Sequence, residues 1–240
     1  MNKDQLKAIF NQQASGYDTR WTRMAPINNG LYFLLDAVFA GLPADARILC
    51  VGVGTGTEVI YLAKRFPGWR FTVVEPSTAM LAVCRQRSEE IDIADRCYFH
   101  EGYLDTLPMN EMHDAATCFL VSQFILERQA RSDFFQQIAN RLKPGGILAN
   151  ADLSADVNAD NYEALLRVWI SVMAADNSAE GLSRMKAAYV NDVAVLPPAT
   201  VASIIQSGGF DAPTLFFQAA LIHAWFARRA FDTLVLVNAA

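Results

Sequence analysis

Residues 48–56 read Ile-Leu-Cys-Val-Gly-Val-Gly-Thr-Gly: an apolar run followed by glycines at 52, 54 and 56. Nineteen positions after Gly56 comes Glu75, at the end of a second apolar run, Phe71-Thr-Val-Val-Glu75. Between the two runs, residues 57–66 (TEVIYLAKRF) place Val59, Ile60, Leu62 and Ala63 on one helical face. This strand, glycine turn, helix and second strand form a βαβ unit, which commits the chain to a parallel sheet. Glycines at the exit of a parallel strand let the backbone come close to a ligand and aim N–H groups at it. An acid ending the next strand borders the same crevice, where its carboxylate can accept hydrogen bonds from the two hydroxyls of a ribose. Gly52, Gly54, Gly56 and Glu75 therefore predict a nucleoside site.

The pattern continues outward. A helix is predicted over residues 77–90, capped by Ser77 or Thr78, then strands over 96–102 and 114–122. A helix over 130–142 is expected to end at Lys143-Pro-Gly-Gly146, with a fifth strand over 146–153. Strands 1, 2 and 4 are apolar on both faces, as sheets covered by helices on both sides require. After Asp152 the alternation stops. Residues 160–173 place Tyr162, Leu165, Leu166, Trp169, Ile170 and Met173 at helical spacing, a second helix follows over 179–190, and a third begins at Pro197-Pro198. Residues 214–229 read as two strands around a short turn, an antiparallel hairpin. Ahead of the core, helices are expected over 3–13 and 27–40. The predicted organisation is one domain: N-terminal helices over 1–40, a binding core over 45–154, a helical cap inserted over 155–197, and a final helix and hairpin over 198–230.

Composition sets the bounds. The 240 residues are 52% hydrophobic, enough for a sizeable core. The most apolar stretch, residues 31–42, is too short to span a bilayer and contains Asp36. The N-terminal segment has no uninterrupted apolar stretch of signal-peptide type. A net charge of −5 argues against a nucleic-acid groove. The four cysteines, at 50, 84, 97 and 118, have no Cys-x-x-Cys spacing, which argues against zinc or redox chemistry and for a reduced, cytoplasmic protein. His100, His113 and His223 do not group with acids or cysteines at metal-ligand spacing.

The glycine spacing narrows the nucleoside. Dinucleotide binding calls for G-x-G-x-x-G/A, whereas here the third glycine is at G-x-G-x-G and Thr57 follows it. A nucleoside without a pyrophosphate fits better. An NAD(P)-dependent oxidoreductase is the competing class, disfavoured by that displaced glycine.

Five motifs in register, ILCVGVGTG, FTVVEPSTAML, DTLP, DAATCFLVSQFI and RLKPGGIL, resemble the class I S-adenosylmethionine-dependent methyltransferases. The opening FNQQASGYDTRW is similar to that of the small-molecule branch. The resemblance covers residues 10 to 229 and implies an α/β fold: a doubly wound, mostly parallel seven-stranded sheet with an antiparallel last strand. It implies S-adenosylmethionine as cofactor, with Gly52, Val53, Gly54, Thr55 and Gly56 under the methionine portion and ribose, and Glu75 on the ribose hydroxyls. Pro76, Ser77 and Met80 would flank the adenine. Where the family carries an acid for the adenine, in G-D-x-x-x-L-P, this chain has Gly102-Tyr103-Leu104, so adenine recognition would rest on backbone groups and on stacking by Tyr103. Cys118 and Phe119 would border the transferred methyl. Tyr17 would close over the cofactor, or else serve as a packing aromatic.

A closer likeness, carried by LVSQFILERQARSDFFQQIANRLKPGG and SGGFDAPTLFFQAALIHAWFARR, is to the carboxy-S-adenosylmethionine synthases, which modify the cofactor itself. That group holds the new carboxylate with an arginine from the cap, for which Arg184 and Lys186 are the basic candidates here; a solvated charge is the alternative for Lys186. A small-molecule acceptor is expected between the N-terminal helices and the cap, near Trp21, Met24, Trp169, Met173, Met185 and Tyr189, with Trp169 and Met173 alternatively packing the cap. No general base stands out. The chain is expected to act as a monomer or homodimer, with neither nucleic acid nor membrane as partner.

Overall fold

The computed structural model describes residues 2–173 and 178–231. Its elements in chain order are α1 (Lys3–Gln13), α2 (Tyr17–Trp21), α3 (Ala25–Val38), β1 (Arg47–Val51), α4 (Thr57–Arg65), β2 (Arg70–Glu75), α5 (Thr78–Glu89), β3 (Cys97–Glu101), β4 (His113–Phe119), α6 (Arg128–Ala139), β5 (Leu142–Leu153), α7 (Tyr162–Val172), α8 (Ala179–Asn191), α9 (Pro198–Ser207), β6 (Thr214–Ala219) and β7 (Ile222–Arg228). The strands form one sheet in the order β3-β2-β1-β4-β5-β7-β6. The first five run parallel, and β7 runs antiparallel to both β5 and β6.

This order creates the site. β1 lies between β2 and β4, so the connections leaving β1 and β4 turn to opposite faces of the sheet and open a crevice at the strands' carboxyl ends. One face packs a core containing Leu35, Ile48, Cys50, Val59, Leu62, Val73 and Cys84, extended by Leu166, Trp169 and Ile170. The other packs Leu49, Val51, Ala116, Cys118, Phe135, Ile138 and Val201 beneath α6 and α9. Both faces of β1 are thus buried, which is why it reads as an unbroken apolar run.

One local expectation needs correction. Lys143-Pro-Gly-Gly146 does not lie outside the sheet as a helix stop. α6 ends at Ala139, and β5 already begins at Leu142. His113 pairs with Leu142 and Ala115 with Ile147, so the intervening residues bulge and the prolyl nitrogen is spared a place in the regular ladder. The N-terminal helix α1 buries none of its residues fully. Leu6 and Phe10 are half-buried and face the crevice rather than the core. No helix among the described residues is long and apolar enough to cross a membrane.

Candidate functional site

β1 ends at Val51, and the glycine loop follows at once. Gly52 donates to the Val74 carbonyl (2.8 Å) and Gly56 to the Val53 carbonyl (2.9 Å), tying the loop to β2 and into a tight turn before α4. Gly52 and Gly54 both have left-handed φ, +68° and +55°, but their surroundings differ. A Cβ on Gly52 would fall 2.4 Å from a Val121 methyl, whereas one on Gly54 would meet no atom within 4 Å. Gly52 is thus required by packing, and Gly54 leaves open the space above the loop.

That space is a cavity of about 760 Å³ at the carboxyl edge of the sheet, a size typical of small-molecule sites. Glu75 borders it and is 5% exposed. Its Oε2 accepts the Gly54 N–H (2.9 Å) and its Oε1 the Ser77 N–H (2.8 Å). Burial pushes its carboxyl pKa up, and these two donors hold the rise back. Each oxygen keeps a further lone pair for a ligand. Ser77 caps α5, its Oγ accepting from the Met80 N–H (3.2 Å).

The cavity is roofed by the N-terminal helices. Asn11 Oδ1 accepts from Ser77 Oγ (2.7 Å) and the Ala79 N–H (3.2 Å). Asp18 accepts from Thr55 Oγ1 (2.6 Å) and pairs with Arg87 (3.1 Å), which also donates to the Thr55 carbonyl (2.9 Å). Tyr103 donates its hydroxyl to the Lys3 carbonyl (2.8 Å), and the Lys3 ammonium lies 4.5 Å from its ring centre. A tyrosine at this position therefore ties the roof to the rim, and one of its ring faces is already covered by Lys3. The inner wall is apolar and aromatic, with Trp21, Met24, Tyr32, Phe119, Phe124 and Ile222 among its residues. Leu120, in the same wall, holds left-handed backbone at φ +59°, an unusual state for a leucine and one that clusters at functional sites.

Most of the expected site residues meet here: Tyr17, Trp21, Gly52, Val53, Gly54, Thr55, Glu75, Pro76, Ser77, Met80, Gly102, Tyr103, Leu104 and Phe119 all line the cavity. Six do not. Gly56 sits behind the loop against Cys84. Cys118 is fully buried on the opposite face of β4 from Phe119, because neighbouring strand residues point to opposite sides. Trp169 donates its indole N–H to the Tyr189 hydroxyl (2.6 Å), joining α7 to α8. Lys186 pairs with Glu163 (2.6 Å) across the same two helices, and Arg184 is exposed on α8. None of the described residues of 155–197 lines the cavity; its roof is α1 to α3.

The structure also brings in residues that sequence reading passed over: Asn11, Asp18, Tyr32, Glu58, Arg87 and Phe124. Glu58 did carry a signal, since it stands one helical turn before Leu62 on the buried side of α4. The histidines hold the scaffold. His113 is buried between the Arg141 carbonyl (3.0 Å) and Thr72 Oγ1 (2.9 Å), and burial lowers its pKa. No group of three or more histidine, cysteine or acidic side chains among the described residues could hold a metal ion.

Against known proteins, residues 48–146 match the methyltransferase domain family. The chain is 32% identical over 116 residues to erythromycin 3''-O-methyltransferase of Saccharopolyspora erythraea, covering 48% of this chain and 37% of that one. Across the curated relatives it matches, the chain spans half of their length or less. Among solved structures it resembles an O-methyltransferase family 2 protein from Planctomyces limnophilus in complex with apigenin (TM-score 0.62, 14% identity, 96% of this chain and 62% of that one). It also resembles human N-acetylserotonin methyltransferase in complex with S-adenosylmethionine (TM-score 0.57, 17% identity, 80% and 49%). At these identities the structural likeness speaks for the fold: the seven-stranded sheet with its reversed β7 is the class I methyltransferase architecture.

Proposed function

We propose that this chain, whose residues 48–146 match a methyltransferase domain, is an S-adenosylmethionine-dependent methyltransferase acting on a small molecule. One observation carries the reading: a glycine loop, open above Gly54, and the carboxylate of Glu75 face the same cavity as an aromatic wall. The residues present fit the cofactor. Gly54 leaves room for it, Glu75 has unused acceptor capacity for two hydroxyls, and Pro76, Met80 and Leu104 offer apolar surface for a base. When bound, S-adenosylmethionine supplies a methyl carbon activated by a sulfonium.

The protein's own contribution is alignment and dryness. Fixing two reactants in register is worth on the order of 7–11 kcal/mol of barrier. Here the glycine loop and Glu75 fix one side, and Trp21, Tyr32, Phe119 and Phe124 shape the other for a small, partly apolar acceptor. The roof formed by α1 and α2 excludes water, held down through Asn11, Asp18 and Tyr103. Modification of the cofactor itself, as in the carboxy-S-adenosylmethionine synthases, is the alternative outcome.

Calorimetry with S-adenosylhomocysteine and NAD, together with mass spectrometry of the nucleoside that co-purifies, tests the reading. Binding of S-adenosylhomocysteine but not NAD is expected. A carboxylated adduct would redirect the product assignment, and binding of NAD alone would overturn the whole reading.

A further inference from the structure

The cavity contains one carboxyl group whose chemistry is unmet. Glu58 lies in the first turn of α4, two residues beyond the glycine loop, lines the cavity and is 6% exposed. The other acids of the lining have partners: Asp18 holds Thr55 and Arg87, Glu75 two backbone N–H groups, Asp105 the Lys3 ammonium, and Asp133 the Gln129 amide. Among the described residues Glu58 receives its own peptide N–H and no side-chain donor. The groups that bear on it electrostatically are Tyr32 from α3, Cys50 from β1, Cys84 from α5, Cys118 from β4 and Glu75 from β2. None is a cation. The nearest guanidinium of the lining, Arg87, is committed to Asp18 and the Thr55 carbonyl.

A buried carboxyl without a counter-charge either keeps its proton or awaits a cation. We propose that Glu58 is the counter-ion for the ammonium group at the amino-acid end of the cofactor. This assignment rests on the S-adenosylmethionine reading above. Glu75 and the Tyr103–Leu104 rim define the nucleoside end, and the glycine loop leads from there toward Glu58. Burial pushes the Glu58 carboxyl pKa up to about 8. Near neutral pH the group is therefore mostly protonated, and an arriving ammonium displaces that proton to solvent. Ligand affinity and proton release are then coupled through Glu58.

The test titrates wild type and Glu58→Gln with three probes: S-adenosylmethionine, S-adenosylhomocysteine, which keeps the ammonium and lacks the sulfonium, and 5′-methylthioadenosine, which lacks both. Calorimetry in two buffers of different ionisation enthalpy counts protons. The wild type is expected to release about one proton per S-adenosylhomocysteine near neutral pH and none with 5′-methylthioadenosine. Glu58→Gln is expected to bind S-adenosylhomocysteine about tenfold or more weakly, release no proton, and bind 5′-methylthioadenosine as the wild type does. The proposal is overturned by unchanged S-adenosylhomocysteine affinity, by absence of proton release from the wild type, or by equal losses for all three probes. A loss confined to S-adenosylmethionine would assign Glu58 to the sulfonium instead and overturn the ammonium assignment. A wild type that binds none of the three removes the cofactor reading itself. The proton count uses the native chain, so it decides the matter even if the variant folds poorly.

Discussion

Replacing Glu75 by glutamine tests the ribose assignment through acceptor arithmetic. In the structure the carboxylate already serves two donors, the Gly54 and Ser77 N–H groups at 2.9 and 2.8 Å. Two ribose hydroxyls would bring the total to four, which matches the roughly four lone-pair sites of a carboxylate. Glutamine offers one carbonyl oxygen and two donors of its own, so two of the four donors go unmet. Stability should change less than affinity. Burial is the largest influence on Glu75 and works against its charge, so a neutral side chain recovers part of what it loses in hydrogen bonds. The fold is expected to survive with a stability change within about 2 kcal/mol. S-adenosylhomocysteine affinity should fall by about 1.5–3 kcal/mol, or roughly 10- to 150-fold. Calorimetry on a variant shown folded by its circular-dichroism melt reads both. Affinity within about twofold of the wild type would refute the argument, because the hydroxyls would then have found their acceptors elsewhere.

The glycines should separate by function. Gly54→Ala is expected to cost about 1–2 kcal/mol of stability for its left-handed backbone and to weaken nucleoside binding, since its Cβ enters the open cavity. Gly52→Ala should lower the melting temperature more, because its Cβ collides with Val121 before any ligand arrives. Equal effects on binding and stability in both would contradict the loop geometry. The folded pKa of Glu58 lies above its unfolded value, so the folded state holds more protons in between. Unfolding free energy should therefore fall as pH rises from about 4.5 to about 8, by a total on the order of 4–5 kcal/mol at about 1.4 kcal/mol per unit. Denaturation across that range should show the slope in the wild type and a markedly shallower one in Glu58→Gln, where the raised pKa of Glu75 still contributes. Arg131 and Asp152 form a fully buried pair (2.9 Å), and Asp152 also takes the Ser122 hydroxyl, the Gln123 N–H and the Asn150 amide. Arg131→Met should cost about 3–5 kcal/mol by stranding that carboxylate, and a loss below about 1 kcal/mol would show the pair to be replaceable.

The parallel core was legible because both of its faces are buried. Strands such as β1 and β2 must then be apolar throughout, and a glycine turn or an acid stands out at their ends. The N-terminal roof was less legible. Its helices appear in the periodicity, but Asn11 reaches Ser77 and Asp18 reaches Thr55 over separations of 66 and 37 residues, which no local pattern encodes. The apolar stripe of α1 reads like any core stripe, although Leu6 and Phe10 face the cavity. The helices α7 and α8 were legible as helices, with Tyr162, Leu166, Trp169 and Ile170 buried as their spacing demands, but their position was not. An apolar face states that it must be covered without stating by what, and here the described residues of 155–197 leave the cavity's lining to other elements. Cys118 was misplaced for a simpler reason: adjacent strand residues cannot both face one cavity, and Phe119 already does.

The most direct test of the cofactor site is a crystal structure with S-adenosylhomocysteine bound. The ribose hydroxyls are expected on the Glu75 carboxylate and the amino-acid end of the ligand over Gly52 to Gly54, beneath a roof still held by Asn11 and Asp18. A ligand seated elsewhere, or a Glu75 that keeps its two backbone donors and touches no hydroxyl, would contradict this placement.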